Sequence, residues 1–258
     1  MTSFLTTPQT RHIAYHQTSG RGPGVVFLGG FRSDMEGAKA LHLQSWAEAA
    51  GSAFLRFDYS GHGRSHGDFE SGAISDWRED AAAVIQTLTE GPQVLVGSSM
   101  GGWLALLLAR DRGAHVAGVV GIAAAPDFTT RMWEQEFSEQ NRADLLANGQ
   151  VLLPSAYAGD PYVITRRLIE DGQENLLLDR DLVLQMPVRL LQGTGDLDVP
   201  PKVALTLLDH CQCPDLRLTL VKDADHRFST PDCLELIART VEEMLIGLRT
   251  DEGGSRSI

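Results

Sequence analysis

The chain has 258 residues, 43% of them hydrophobic and 22% charged, with a net charge of −12 from 22 basic and 34 acidic side chains. A folded chain of this size buries roughly three quarters of its unfolded surface, so a full core is available and disorder, collagen and coiled coil are excluded for the whole chain. The acidic balance and the lack of a Lys/Arg stripe argue against nucleic acid and against an anionic membrane surface. The longest apolar run, Val116 to Pro126, falls short of the roughly 20 residues a membrane helix needs. Cys211, Cys213 and Cys233 fit neither a zinc knuckle nor a C-x-x-C pair, and read as free thiols in a reducing compartment. The first residues show no basic flank followed by an apolar run, so no secretory signal is visible.

The elements alternate along the chain. Arg11–His16 reads as a strand and Gly24–Gly30 as a buried strand ending in a glycine turn. Ser33–Ala50 follows as a helix, Ser52–Phe57 as a strand and Ser75–Thr89 as a helix. Gln93–Val96 is a strand, Met100–Arg110 a helix and Val116–Ala123 a strand. Pro187–Leu191 and Leu216–Val221 are strands, Lys202–Leu208 is a helix, and Cys233–Leu248 closes the chain as a helix. Such alternation, with continuous apolar strands, predicts a mainly parallel sheet of about eight strands, helices on both faces. Between Ala125 and Pro187 lie about sixty residues without a clear strand, the pattern of an inserted lid. There Phe128–Leu146 and Pro161–Gly172 read as helices. The expected organisation is a core of residues 1–126 and 187–250, a lid of 127–186, and a flexible tail of 251–258.

Gly97-Ser-Ser-Met-Gly101 matches G-x-S-x-G between a buried strand and an apolar helix, the context in which that pattern marks a nucleophile turn. The glycines give room, and the helix N-terminus favours a developing anion near Ser99. A serine needs a base, and the base an orienting carboxylate. His226, in the polar loop Lys222-Asp-Ala-Asp-His226 past a strand, fits better than His210, which sits near the end of a helix. For the acid, Leu191-Gln-Gly-Thr-Gly-Asp-Leu-Asp-Val-Pro200 offers Asp196 first and Asp198 second, with Asp225 less suited because it adjoins His226. Two backbone amides should bind a developing oxyanion. Those of Met100, directly after Ser99, and Phe31, in Gly29-Gly30-Phe31, are the candidates.

With these elements the chain resembles the α/β-hydrolase superfamily over roughly residues 10 to 248. Asp58-Tyr-Ser-Gly-His-Gly-Arg-Ser65 looks like the D-x-x-G-x-G-x-S turn of that superfamily. Arg56–Gly61, Trp77–Asp80 and Gly97–Trp103 look like the abhydrolase-domain-containing protein 10 group, described as palmitoyl-protein thioesterases and acyl-glucuronide esterases. The resemblance implies Ser99, Asp196 and His226 as triad, a lid between Asp127 and Met186, and acyl esters or thioesters as substrates. One departure is the oxyanion turn. It commonly reads His-Gly, and here it is Gly29-Gly30, which keeps the backbone donor and loses a His contact. No mitochondrial presequence is evident, so a cytoplasmic protein is expected.

Arg32 is a candidate for a substrate carboxylate, or pairs with Asp34 or Glu36. Trp103, Trp133, Phe128, Met132 and Tyr157 are candidates for an acyl pocket, against the plainer reading of core aromatics and apolars. His62 and His66 have a metal-like spacing, but the flanking glycines oppose a helix and Arg64 opposes a cation, so no metal site is expected. The expected function is a serine esterase or thioesterase acting through an acyl-enzyme on a small-molecule or acylated substrate, with no cofactor. The same residues would serve a perhydrolase, an amidase or a carbon–carbon hydrolase, and a non-catalytic ligand sensor or interaction module is the alternative of another class. Acyl length, leaving group and oligomeric state stay open at this point.

Overall fold

The structure is a computed structural model describing residues 2–111, 115–153 and 161–254. In chain order it has β1 Ser3–Thr6, β2 His12–Thr18, β3 Arg21–Leu28, α1 Ala38–Ala50, β4 Ser52–Phe57, α2 Ile74–Leu88, β5 Gln93–Ser98, α3 Met100–Asp111 and β6 Val116–Ile122. The inserted stretch contributes α4 Phe128–Arg131, α5 Glu139–Asn148, β7 Gln150–Leu153, β8 Tyr162–Thr165, α6 Arg166–Glu174 and the two-residue β9 Leu182–Val183. The chain then continues with β10 Val188–Gly193, α7 Pro201–His210, β11 Cys211–Gln212, β12 Leu216–Val221 and α8 Pro231–Gly254.

Eight strands form one sheet in the order β1-β2-β4-β3-β5-β6-β10-β12. The first two pairings are antiparallel and the rest parallel. The mainly parallel sheet expected from the alternation is therefore present. Its period-2 pattern divides the core. Val26, Leu28, Leu95, Val119 and Leu190 face one way, onto Trp77, Val84 and Ile85 of α2 and Leu104 and Leu107 of α3. Val25, Phe27, Val94, Val96 and Val120 face the other way, onto Leu43 and Ala47 of α1 and Ile237 and Val241 of α8. With both faces covered, the central strands read as continuous apolar runs. No helix among the described residues is long and apolar enough to cross a membrane.

Several expectations need correction. β1 was not anticipated; it is a mostly exposed edge strand paired with β2, and short exposed strands carry little apolar signal. Residues 33–37 form turns, so α1 begins at Ala38. The single helix expected over Phe128–Leu146 is broken. Met132–Glu136 is a π-turn, Phe137 is extended, and Ser138 restarts the helix by accepting from the Asn141 amide at 3.1 Å. The insertion also contains strands: β7 and β8 pair antiparallel. Tyr162-Val-Ile-Thr165, β-branched and aromatic, is strand where helix was expected, and the Thr165 side chain caps α6. The closing helix continues to Gly254, into the stretch expected to be a flexible tail; residues 255–258 lie outside the described ones. The three cysteines are free thiols, as expected.

The turn after β4 is fixed from below by Asp80 of α2, which is fully buried. Asp80 accepts from Arg11 Nε at 2.6 Å, from the Ser60 amide at 2.9 Å and from Ser60 Oγ at 2.6 Å. Removing the carboxylate strands the Ser60 donors and part of the Arg11 charge. Asp80→Ala is expected to cost about 3 kcal/mol of stability, read as a shift in the urea midpoint.

Candidate active site

The parallel register aligns the strand ends. Leu28 sits opposite Gly97, Ser98 opposite Ile122, Leu191 opposite Ile122, and Gly193 opposite Val221. The loops after β3, β5, β10 and β12 therefore emerge at one edge of the sheet, where ligand sites of open α/β sheets assemble. Ser99, Asp196 and His226 lie on three of these loops.

Ser99 occupies the single residue between β5 and α3, with φ of +54°. A non-glycine residue there is strained, at a cost of about 1–3 kcal/mol. The turn is held by backbone bonds. The Ser99 amide donates to Ile122 O at 2.9 Å, and its carbonyl accepts from Gly102 at 2.9 Å and Ala125 at 3.1 Å. The flanking glycines are required by close approach. A Cβ on Gly97 would meet Gly101 O at 2.2 Å, and one on Gly101 would meet Leu28 O at 2.1 Å.

His226 Nε2 lies 3.2 Å from Ser99 Oγ, and His226 Nδ1 lies 2.9 Å from Asp196 Oδ2. Asp196 is buried, and its other bonds fix it. Oδ1 accepts from the amides of Asp198 at 3.0 Å and Val199 at 2.8 Å, and Oδ2 accepts from Gln192 Nε2 at 2.9 Å. Burial pushes the Asp196 carboxyl up, but the hydrogen bonds from His226, the Val199 amide and Gln192, with the His226 charge, outweigh it and hold the group below the usual carboxylate range. An ionised Asp196 fixes the proton on His226 Nδ1, which leaves Nε2 as the acceptor for the Ser99 hydroxyl.

The other acid and base candidates fall elsewhere. Asp198 offers its amide to Asp196, Asp225 Oδ1 accepts from the Phe228 amide at 3.1 Å, and His210 Nε2 lies 2.8 Å from Arg180 O. Asp196, Asp198 and His226 place ligand atoms within 4.8 Å of one another, a spacing a cation could use. Both Asp196 oxygens are already taken by hydrogen-bond donors, which fits a hydrogen-bonded chain better than a metal site.

A cavity of about 270 Å³ opens beside Ser99 and His226, lined also by Gly30, Phe31, Arg32, Lys39 and Tyr162. The Gly29–Arg32 turn borders it. A Cβ on Gly30 would lie 3.4 Å from Ser98 O and from Ser99 Cβ, so the backbone of this turn runs against the serine. Of the two residues whose amides are the oxyanion candidates, Phe31 lies in the turn after β3 and lines this cavity, and Met100 is the first residue of α3, directly after Ser99. Arg32 does line the cavity. It pairs with neither Asp34 nor Glu36 among the described residues; Glu36 is taken by Arg56. The Arg32 guanidinium lies between two rings, 5.2 Å from the Phe69 centroid and 5.4 Å from that of Tyr162, and reaches Pro161 O at 3.4 Å.

The tryptophan candidates are corrected. Trp103, on α3, is fully buried and donates its indole N–H to Asn175 O at 3.1 Å, so it is core. Trp133 borders a separate cavity of about 340 Å³ with Leu145, Leu146 and Ile169, with the Arg142 guanidinium over its ring. Neither tryptophan lines the cavity beside Ser99. Tyr157 lies outside the described residues.

Three residues at the site escaped the sequence reading. Tyr162 was hidden in the segment read as helix. Lys39, half-buried on α1, donates Nζ–H to Arg227 O, next to His226; burial brings its ammonium down to about 8 against the opposing pull of Asp225. His62 sits in the Asp58–Ser65 turn, where its spacing to His66 raised only the question of metal binding. It is buried, its Nε2 accepts from the Arg32 amide at 3.3 Å, and burial pushes its pKa down to about 4.

Residues 25–240 match the model of the alpha/beta hydrolase family. The chain is 34% identical over 249 residues to palmitoyl-protein thioesterase ABHD10, mitochondrial, of Bos taurus, covering 96% of this chain and 81% of that one. Its structure matches a hydrolase from Agrobacterium vitis S4 with a TM-score of 0.91 and 39% identity, over 95% of this chain and 98% of that one. It also matches alpha/beta hydrolase domain-containing protein 10 from mouse with a TM-score of 0.89 and 33% identity, over 96% and 99%. The relatives from cattle, rat, mouse and human are all named mitochondrial, which overturns the expectation of a cytoplasmic protein. The matched span runs from within β3 past β12 and holds all three loops of the site, and the chain belongs to the alpha/beta hydrolase family.

Proposed function

We propose that the protein is a serine hydrolase that cleaves carboxylic esters or thioesters of acyl groups through an acyl-enzyme. The observation that carries this reading is the continuous chain Ser99 Oγ–His226 Nε2 and His226 Nδ1–Asp196 Oδ2 at 3.2 and 2.9 Å, opening into a cavity. His226 takes the proton from Ser99 as its oxygen attacks the acyl carbonyl. Asp196 holds the imidazole in the required tautomer and stabilises the imidazolium. The amides of Phe31 and Met100 receive the developing oxyanion. His226 then gives the proton to the departing alcohol or thiol, and a water activated by His226 releases the acid.

Residues 127–186 act in this reading as the lid. Tyr162 from β8 forms one wall of the cavity, and Arg32 ties the oxyanion turn to Tyr162 and Pro161. The thioesterase named among the relatives supports an acyl thioester as one substrate type. The cavity is small beside ligand pockets of about 300–1,000 Å³, so a long acyl chain must extend past it under the insertion.

The test is hydrolysis of matched oxygen-ester and thioester ladders from acetyl to palmitoyl. Turnover that vanishes in Ser99→Ala supports the reading. An apolar pocket separates acyl chains that differ by one methylene by at most about 1–3 kcal/mol, roughly 200-fold, so no single-length peak sharper than that is expected. No turnover on any rung contradicts the esterase reading, and one chain length preferred several hundredfold over its neighbours contradicts the broad pocket.

A further inference from the structure

We infer that His62 is a positioning residue for the oxyanion-binding turn: it takes the Arg32 N–H and so leaves the neighbouring Phe31 N–H directed at the cavity. The inference rests on the acyl-transfer reading of Ser99. Its basis is where the polar groups of the turn go. The Gly29 carbonyl accepts from the buried Tyr59 hydroxyl at 3.3 Å. The Gly30 carbonyl accepts from the Ser33 amide at 3.1 Å and from Ser33 Oγ at 2.8 Å. The Arg32 amide donates to His62 Nε2 at 3.3 Å. Arg32 has φ of +56°, a left-handed conformation that a non-glycine residue adopts only when its surroundings impose it. The His62 bond is one such constraint, made to the amide next along from the proposed donor.

The chemistry of His62 suits the task. To accept from an N–H, Nε2 must carry no proton, and the ring must be the neutral Nδ1–H tautomer. Nδ1 lies 3.3 Å from Ser60 O, a carbonyl that can only accept, which selects that tautomer. The ring is buried and boxed edge-on by Tyr59, Phe69 and Trp77, with centroids 5.4, 5.0 and 5.1 Å away. Burial and the Arg32 charge both oppose protonation, while the Ser60 bond favours it; the ring stays neutral at working pH. Protonated His62 would set an N–H against the Arg32 N–H and push the turn away. The backbone below is anchored in turn, since Ser60 is held by Asp80 and Trp77 Nε1 donates to Ser60 O at 3.2 Å. A rigid path thus runs from α2 through His62 to the turn beside Ser99.

The test compares wild type, His62→Phe and His62→Gln as purified full chains, using a short-chain nitrophenyl ester and a fluorophosphonate. Loss of one oxyanion donor lowers kcat by about 10²–10³-fold. Loosening it should lower kcat by about 10–100-fold in His62→Phe, with KM nearly unchanged and phosphonylation slowed by a similar factor. His62→Gln, which keeps an acceptor, should recover most of the loss. If His62→Phe does not fold, ¹⁵N spectra of the wild-type imidazole decide. The Nδ1–H tautomer with a bare Nε2 at neutral pH is expected, and an Nε2–H tautomer overturns the inference. A folded His62→Phe that turns over and labels as fast as an active wild type overturns this inference alone. A wild type that neither hydrolyses nor labels overturns the acyl-transfer reading, and this inference with it.

Discussion

Ser99→Ala is expected to lower kcat/KM for esters by about 10⁶-fold, the loss seen when a triad nucleophile is removed. No other hydroxyl stands at hydrogen-bond distance from His226 Nε2 among the described residues. A water attacking in place of Ser99 would still meet the oxyanion donors, so about 10³-fold over the uncatalysed rate should remain. The fold should not suffer. The Ser99 side chain makes one hydrogen bond, to His226, while the turn is held by backbone bonds to Ile122, Gly102 and Ala125. Alanine also removes little of the strain at φ +54°, since it too carries a Cβ. A melting temperature within a few degrees of wild type, alongside the loss of turnover, is the combined result to look for. Turnover within tenfold of wild type would place the nucleophile elsewhere.

Asp196→Asn is expected to lower kcat by about 10⁴-fold through the tautomer of His226. The geometry shows why. The amides of Asp198 and Val199 donate to Oδ1, so the oxygen of the substituted carboxamide will take that position. Its NH₂ then faces His226 Nδ1, which must accept. The imidazole proton moves to Nε2 and points at Ser99 Oγ, so the base is lost while the shape of the site is kept. The NH₂ also meets the Gln192 NH₂, adding a repulsion. Stability should change with pH in a defined direction. The native Asp196 carboxyl is held below its ordinary value, so the ionised form stabilises the fold above about pH 4, and that stabilisation is lost as pH falls through the depressed native value. Wild type should therefore exceed Asp196→Asn in urea midpoint at neutral pH and converge with it at strongly acid pH. A pH-independent gap would contradict the depressed carboxyl.

The sheet was legible because its central strands announce themselves. Val25–Leu28 and Val94–Val96 are apolar at every position, which only a strand covered on both faces requires. The serine turn was legible because two close backbone contacts, at Gly97 and Gly101, write themselves as glycines. Asp196 and His226 were found by their place after apolar strands. The insertion was not legible, for physical reasons. Its helices are short, its β7–β8 hairpin is four residues a side, and the break at Phe137–Ser138 depends on a cap rather than on a glycine or proline. The wall of the cavity was missed with it, because Tyr162 lines the cavity from β8 of that hairpin. His62 was passed over for the opposite reason. Its motif was visible, but a buried histidine that accepts from a backbone amide looks in sequence like any histidine between glycines. Trp103 shows the limit of helical spacing, which marks a buried face without saying whether a ligand or α6 and its following turn fills the other side.

The most direct measurement of the central claim is intact-mass and peptide analysis of the protein after treatment with a fluorophosphonate. One adduct per chain, on Ser99, formed by wild type and absent from Ser99→Ala, is the expected result. It requires the hydroxyl, the base and the oxyanion donors to act together. No adduct, or an adduct on another residue with Ser99 unmodified, would contradict the account.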